Sequence, residues 1–128
     1  MARTDFDREL TTLMDELLSL GSMVQKSLLL SLDALKTRDL KLSKKVIAED
    51  DEIDSKAVEI EEKCIDLMAT QQPLAGDLRT IVTLLLVSTE LERMGDYAEG
   101  IAKIGLRMGE RSAIKTINRY TKNRRFSQ

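Results

Sequence analysis

Residues 6–28 read FDRELTTLMDELLSLGSMVQKSL, and their apolar positions decide the fold class. Phe6, Leu10, Leu13, Leu17, Leu20, Val24 and Leu28 step by three or four, the spacing that puts side chains on one face of an α-helix. Strict alternation, the mark of a half-buried strand, is nowhere sustained. Gly21 weakens the middle of this stripe, yet Leu32 and Leu35 continue it. Thr4 is placed to cap the start, with Asp5 and Asp7 in the first turn where negative charge suits the helix dipole. The spacing therefore predicts a first helix over about residues 4–36. Thr37-Arg38-Asp39 breaks it, and Asp39 is placed to cap the next helix.

The same period recurs twice. Leu42, Val46, Ile53, Ile60, Cys64 and Leu67 predict a second helix over about residues 40–70. Leu84, Val87, Leu91, Met94, Ala98 and Ile101 predict a third, running to about Met108 with Gly109 as its stop. Between them lies Gln71-Gln72-Pro73-Leu74-Ala75-Gly76-Asp77, where Pro73 cannot continue helix 2 but suits the first turn of helix 3. Helices of this length joined by short connections demand an antiparallel bundle. The expectation is an all-α, antiparallel three-helix bundle of long helices.

Composition agrees. The chain has 128 residues, enough for one core; 33% are charged and only 3% aromatic, with one Pro and six Gly, too few to punctuate a β-rich fold. The lone Cys64 excludes an internal disulfide and sits on an apolar stripe, as a buried structural thiol does. There is no His, which removes Ser-His and Cys-His catalysis and His-containing zinc sites. The first residues lack the apolar run of a signal peptide, and the most apolar stretch, residues 81–87, is too short to span a bilayer. A cytoplasmic protein is expected, peripheral to the membrane only through partners.

Charge is unevenly spread. From Arg107 on, seven basic residues accompany one acid, Glu110, while the other 13 basic residues face 21 acids. A basic tail over residues 109–128 is expected to be a solvated, poorly ordered end, with binding to nucleic acid or an acidic partner the sharper alternative.

Two acidic pairs stand out: Asp50 with Asp54, and Glu92 with Asp96, each four apart and hence one turn apart on one helix side. The second pair flanks a strip holding the small residues Ser88 and Gly95, where something can approach the backbone closely; Glu99 extends the row. Such acids are often ordinary boundary residues, since exposed like charges at this spacing cost only a few tenths of a kcal/mol. Alternatively, carboxylates on neighbouring helices converge on hard cations, as helix bundles do elsewhere.

The wording around the pairs is more specific than their spacing. Gln71-Gln72-Pro73-Leu74-Ala75-Gly76-Asp77-Leu78-Arg79, followed by Glu90-Leu91-Glu92-Arg93-Met94-Gly95-Asp96, resembles the signature of the PhoU family, the phosphate-signalling accessory proteins of bacteria and archaea. Phe6-Asp7-Arg8-Glu9-Leu10 and Asp50-Asp51-Glu52-Ile53-Asp54 resemble it at the right distances too, so the likeness covers about residues 3–108. The resemblance implies a PhoU-like three-helix repeat over residues 1–108, normally present twice in one chain. It implies multinuclear metal clusters at acidic motifs matching Asp50 with Asp54 and Glu92 with Asp96, with iron and zinc as the family's metals. Oxygen ligands favour iron or another divalent cation such as Mn or Mg over zinc. The resemblance further implies a non-catalytic regulator of phosphate uptake and phosphate-starvation signalling, partnered by a phosphate ABC transporter and a sensor kinase.

After Met108 the likeness ends. Asn118-Arg119-Tyr120-Thr121-Lys122 does not read like a family linker, whereas one codon choice, shifted by one base, spells Ile-Asp-Ile-Pro-Lys, which does. A truncated or frameshifted form of a two-repeat protein is expected. A lone repeat should expose apolar surface at Leu18, Leu29 and Leu30 on helix 1 and Leu85 and Leu86 on helix 3, and so form a homodimer. Two rival functions stand beside this one. The first is a metal-dependent phosphohydrolase drawing on Arg79 and Arg93, for both of which salt bridges to neighbouring acids are the plainer fate; the second is a basic-tail nucleic-acid binder.

Overall fold

A computed structural model describes the backbone of residues 2–71 and 73–126 and the side chains of residues 3–70 and 73–110. The chain forms three helices: α1 (Ala2–Thr37), α2 (Leu40–Gln71) and α3 (Ala75–Phe126). Each packs on both others, giving the expected all-α three-helix bundle.

The α1–α2 connection is short because local chemistry completes it. Arg38 takes a left-handed conformation (φ 57°), and the Asp39 N–H donates to the Ala34 carbonyl at 2.9 Å, the closing bond of a Schellman turn. The Asp39 carboxylate then accepts from the Leu42 N–H at 3.0 Å, so the residue that ends α1 also caps α2 as the sequence predicts. We expect Asp39→Ala to cost about 1 kcal/mol of stability. Urea unfolding should show a lower midpoint at unchanged slope; an unchanged midpoint would mean the cap is redundant.

Three helix ends differ from expectation. Thr4 is not an N-cap: α1 begins at Ala2, because Arg3, already on the helix, pairs with Asp77 on α3 and with Asp7 one turn on. Pro73 lies before α3 rather than in its first turn; the Leu74 carbonyl accepts the first helical bond, from the Leu78 N–H at 2.8 Å. Gly109 does not stop α3, which continues to Phe126. A terminating Gly adopts positive φ, and no described Gly does. The backbone of the basic stretch is thus helical as far as Phe126, while the side chains of residues 111–128 lie outside the described set.

The core follows a three-four spacing on every helix: Leu13, Leu17, Leu20 and Val24 on α1; Val46, Ile53, Ala57, Ile60, Cys64 and Leu67 on α2; Ile81, Leu84 and Ala98 on α3. Phe6 closes one end. Two expected stripes are corrected in phase. Leu32 on α1 is exposed, and the buried positions there are Ser27, Ser31 and Ala34. On α3, Val87 and Met94 are exposed, and the inward row is Ile81, Leu84, Ser88, Leu91, Gly95, Ala98, Ala102 and Gly105. Small residues therefore fill the bundle half that contains the α1–α2 turn and let the helices approach closely there. Cys64 is free and buried, as the sequence predicts, and burial pushes its thiol up, away from the reactive thiolate.

Candidate metal centre

On α2, Asp50 falls in the inward row between Val46 and Ile53, so the fold carries a carboxylate into the bundle at 3% exposure. Asp54 follows one turn on and is half-buried. Across from them α3 presents Gly95, fully inward, over which Ile53 and Asp50 lie; a Cβ at Gly95 would stand 3.0 Å from Ile53 Cγ2 and 3.5 Å from Asp50 Oδ1. That close approach brings Asp96 to the α2 pair. One carboxylate oxygen from each of Asp50, Asp54 and Asp96 lies within 4.8 Å of the others.

The small residues of α3 thus have a different role from the one their sequence suggests. What approaches the backbone at Gly95 is α2 itself, and Ser88 is likewise turned into the core.

Glu92 does not join this trio. It is half-buried one turn away on α3, and its carboxyl is held up first by burial and then by the charges of Glu61, Asp54 and Asp96. Glu61 and Glu99 therefore flank the site without having been singled out as ligands. Glu61 lies seven residues beyond Asp54 and Glu99 seven beyond Glu92, the two-turn spacing that marks one helix side.

The carboxyls of this cluster perturb one another. Burial, contact with the Glu99 carboxyl and the charges of Asp54, Glu99 and Asp96 push Asp50 up to about 8. Burial and then Asp96, Glu99 and Asp51 raise Asp54. Glu99 moves down, first through its contact with Asp50 and then because Lys103 pairs with it at 2.5 Å. Asp50 Oδ1 and Asp54 Oδ1 are buried without a hydrogen-bond partner. Orphaned buried carboxylate oxygens are costly, and the two agents that offset them are protons and cations. Three convergent oxygen donors with no nitrogen or sulfur among them fit a hard cation, iron or Mn before zinc. Arg93, the basic residue of the Glu90–Asp96 segment, pairs with Glu90 on its own helix at 3.6 Å, the fate expected of it.

Comparison with known proteins places these motifs. The family model described as PhoU domain matches residues 17–105. A phosphate-specific transport system accessory protein PhoU homolog of Clostridium acetobutylicum is 43% identical over 119 residues, 92% of this chain and 50% of the relative. The Aquifex aeolicus homolog is 36% identical over 108 residues, 84% of this chain and 49% of the relative. The accessory protein PhoU of Escherichia coli is 34% identical over 101 residues, 79% of this chain and 42% of the relative. The chain spans about half the length of the curated relatives it matches.

Proposed function

The chain belongs to the PhoU family, and from that premise we propose that it is a non-catalytic regulator of phosphate uptake and phosphate-starvation signalling. In this reading it acts as a metal-binding helical adaptor to a phosphate ABC transporter and its sensor kinase, at the cytoplasmic face of the membrane. Residues 1–108 form one PhoU-like unit and residues 109–128 a basic extension. No helix among the described residues is long and apolar enough to cross a membrane, so contact with a transporter would run through its solvent-facing parts.

The observation that carries this reading is the convergence of Asp50, Asp54 and Asp96 across two helices with buried oxygens unpartnered. A cation there would be held by these three, with Glu92 one turn away able to share in a second ion of a multinuclear cluster. It would supply positive charge at the helix surface, a means of gripping phosphate or an acidic partner rather than of splitting a bond. The apolar residues left in solvent, Leu18 at 71% exposure, Leu29 and Leu86, support a homodimer, while Leu30 and Leu85 are half-buried. A monodisperse monomer by light scattering at micromolar concentration would remove the dimer from the proposal.

Metal analysis of the purified protein beside Asp54→Asn and Asp96→Asn tests the centre. Metal content should be substantial in the parent and fall at least about tenfold in each variant, as loss of ligand support does. Low content unchanged by either substitution would reduce the trio to boundary acids. Regulation is tested by expressing the chain in a bacterium lacking its own PhoU-type protein, where it should restrain phosphate uptake, and Asp96→Asn should not.

A further inference from the structure

We propose that Lys103 is the built-in counter-cation of the carboxylate row: it holds Glu99 beside Asp50 in the metal-free protein, and a bound cation takes Glu99 as a further ligand and releases Lys103. The inference rests on the metal-binding reading above and says how that site is guarded. Lys103 sits one turn beyond Glu99 on α3, and its Nζ lies 2.5 Å from Glu99 Oε1. Glu99 in turn contacts Asp50, the deepest carboxylate of the trio, whose Oδ1 is buried and unpartnered.

The other lysines and arginines in described ion pairs are committed away from the trio. Lys63 holds Glu16 and Glu59, Lys45 reaches Glu49, Arg93 holds Glu90, and Arg3 joins Asp7 and Asp77. Among them only Lys103 brings positive charge to this row.

Coordination chemistry supplies the second half of the argument. Hard divalent cations of this size take about six oxygens, so three carboxylates binding through one oxygen each leave half the shell to be filled. Glu99 is the carboxylate outside the trio that contacts one of its members, Asp50, and its side chain is 23% exposed. The ammonium of Lys103 sits on a flexible four-carbon stem that is about half exposed, so release into water requires a change of rotamer and no helix movement. Lysine and cation therefore compete for one carboxylate.

Mn²⁺ titration followed by electron paramagnetic resonance tests this, since the sharp six-line spectrum of the free ion broadens on binding. Lys103→Met should tighten Mn²⁺ binding roughly two- to fivefold, the strength of an exposed ion pair converted to affinity. Lys103→Gln, which keeps polarity, should do the same and guards against a misfolded variant, with circular dichroism as the check. Glu99→Gln should weaken binding by about tenfold. Adding Lys103→Met to Glu99→Gln should then change nothing, because the competition has been removed. If the parent binds Mn²⁺ and the single variants match it, or Lys103→Met still tightens binding without Glu99, Lys103 is not a competitor at this site and the inference fails alone. If the parent binds no Mn²⁺, the metal-binding reading fails and takes the inference with it.

Discussion

Asp50→Asn is expected to stabilise the metal-free protein by on the order of a few kcal/mol at pH 8 and to abolish its metal binding. The carboxyl is 3% exposed, surrounded by Asp54, Asp96 and Glu99, and pushed up to about 8. An unfolded chain releases the same proton near the ordinary carboxylate value of 3.8. Below about pH 4 both states hold it and the site costs nothing. Between about 4 and 8 the folded state keeps a proton that the unfolded state gives up, so stability falls as pH rises; above about 8 the full cost of a buried charge is present. An amide escapes this cost, and its N–H₂ can donate to the neighbouring carboxylates.

Urea unfolding with a chelator present should therefore show the variant and the parent close together near pH 4, with the gap widening to pH 8. A gap that stays flat across this range would refute the buried-charge account. Mn²⁺ at about a hundredfold excess over Kd should narrow the gap at pH 8, because a ligand that binds only the folded parent stabilises it by mass action, by about 2.7 kcal/mol. On that outcome the three carboxylates would be strained by their own charge when no cation is bound, the usual thermodynamic signature of groups kept for function rather than for stability.

The sequence told more about the helices than about the centre. The three-four stripe of large residues from Phe6 to Val24 set α1 correctly, and the Thr37-Arg38-Asp39 break became the α1–α2 turn. On α3 the spacing of large apolar residues points to Val87 and Met94, which face water. The inward positions there are instead Ser88, Gly95, Ala98, Ala102 and Gly105, small because α2 and α1 press close. A pattern of hydrophobicity cannot see a core built from small side chains. Asp50 is hard to read for the same reason: its spacing places it in the inward row of α2, yet an acid in that row reads as a surface residue until α3 is in place. Neither the pairing of Asp50 and Asp54 with Asp96 nor the separation of Glu92 follows from spacing along one helix. Those depend on the register of α2 against α3, which Gly95 sets.

Gly95→Leu is the substitution that tests this register, and it should both destabilise the bundle and erase the centre. Glycine inside a helix is a liability worth about 1 kcal/mol relative to alanine, so its presence mid-helix in α3 needs a reason. The reason is spatial. A Cβ there would already stand 3.0 Å from Ile53 Cγ2, tighter than ordinary contact, and Ile53 cannot retreat because its methyl is borne on the branched Cβ of a side chain that is itself 2% exposed. Gly95→Ala therefore sets a propensity gain against a steric loss of similar size, and should change stability by less than about 1 kcal/mol. Three further carbons in Leu have nowhere to go but between the helices. The cost should be about 3 kcal/mol, the upper end for overpacking, out of a total of roughly 5–15 kcal/mol for a domain of ordinary stability. Because the wedge stands 3.5 Å from Asp50 Oδ1, it also moves the Asp50–Asp54 pair away from Asp96. Thermal unfolding and Mn²⁺ titration on the same samples distinguish the two effects: Gly95→Ala should keep most of its metal affinity, and Gly95→Leu should bind none even at temperatures where it remains folded. If Gly95→Leu melts with the parent and binds Mn²⁺ as tightly, α2 and α3 are not in the close register that assembles the three carboxylates, and the centre as described does not exist.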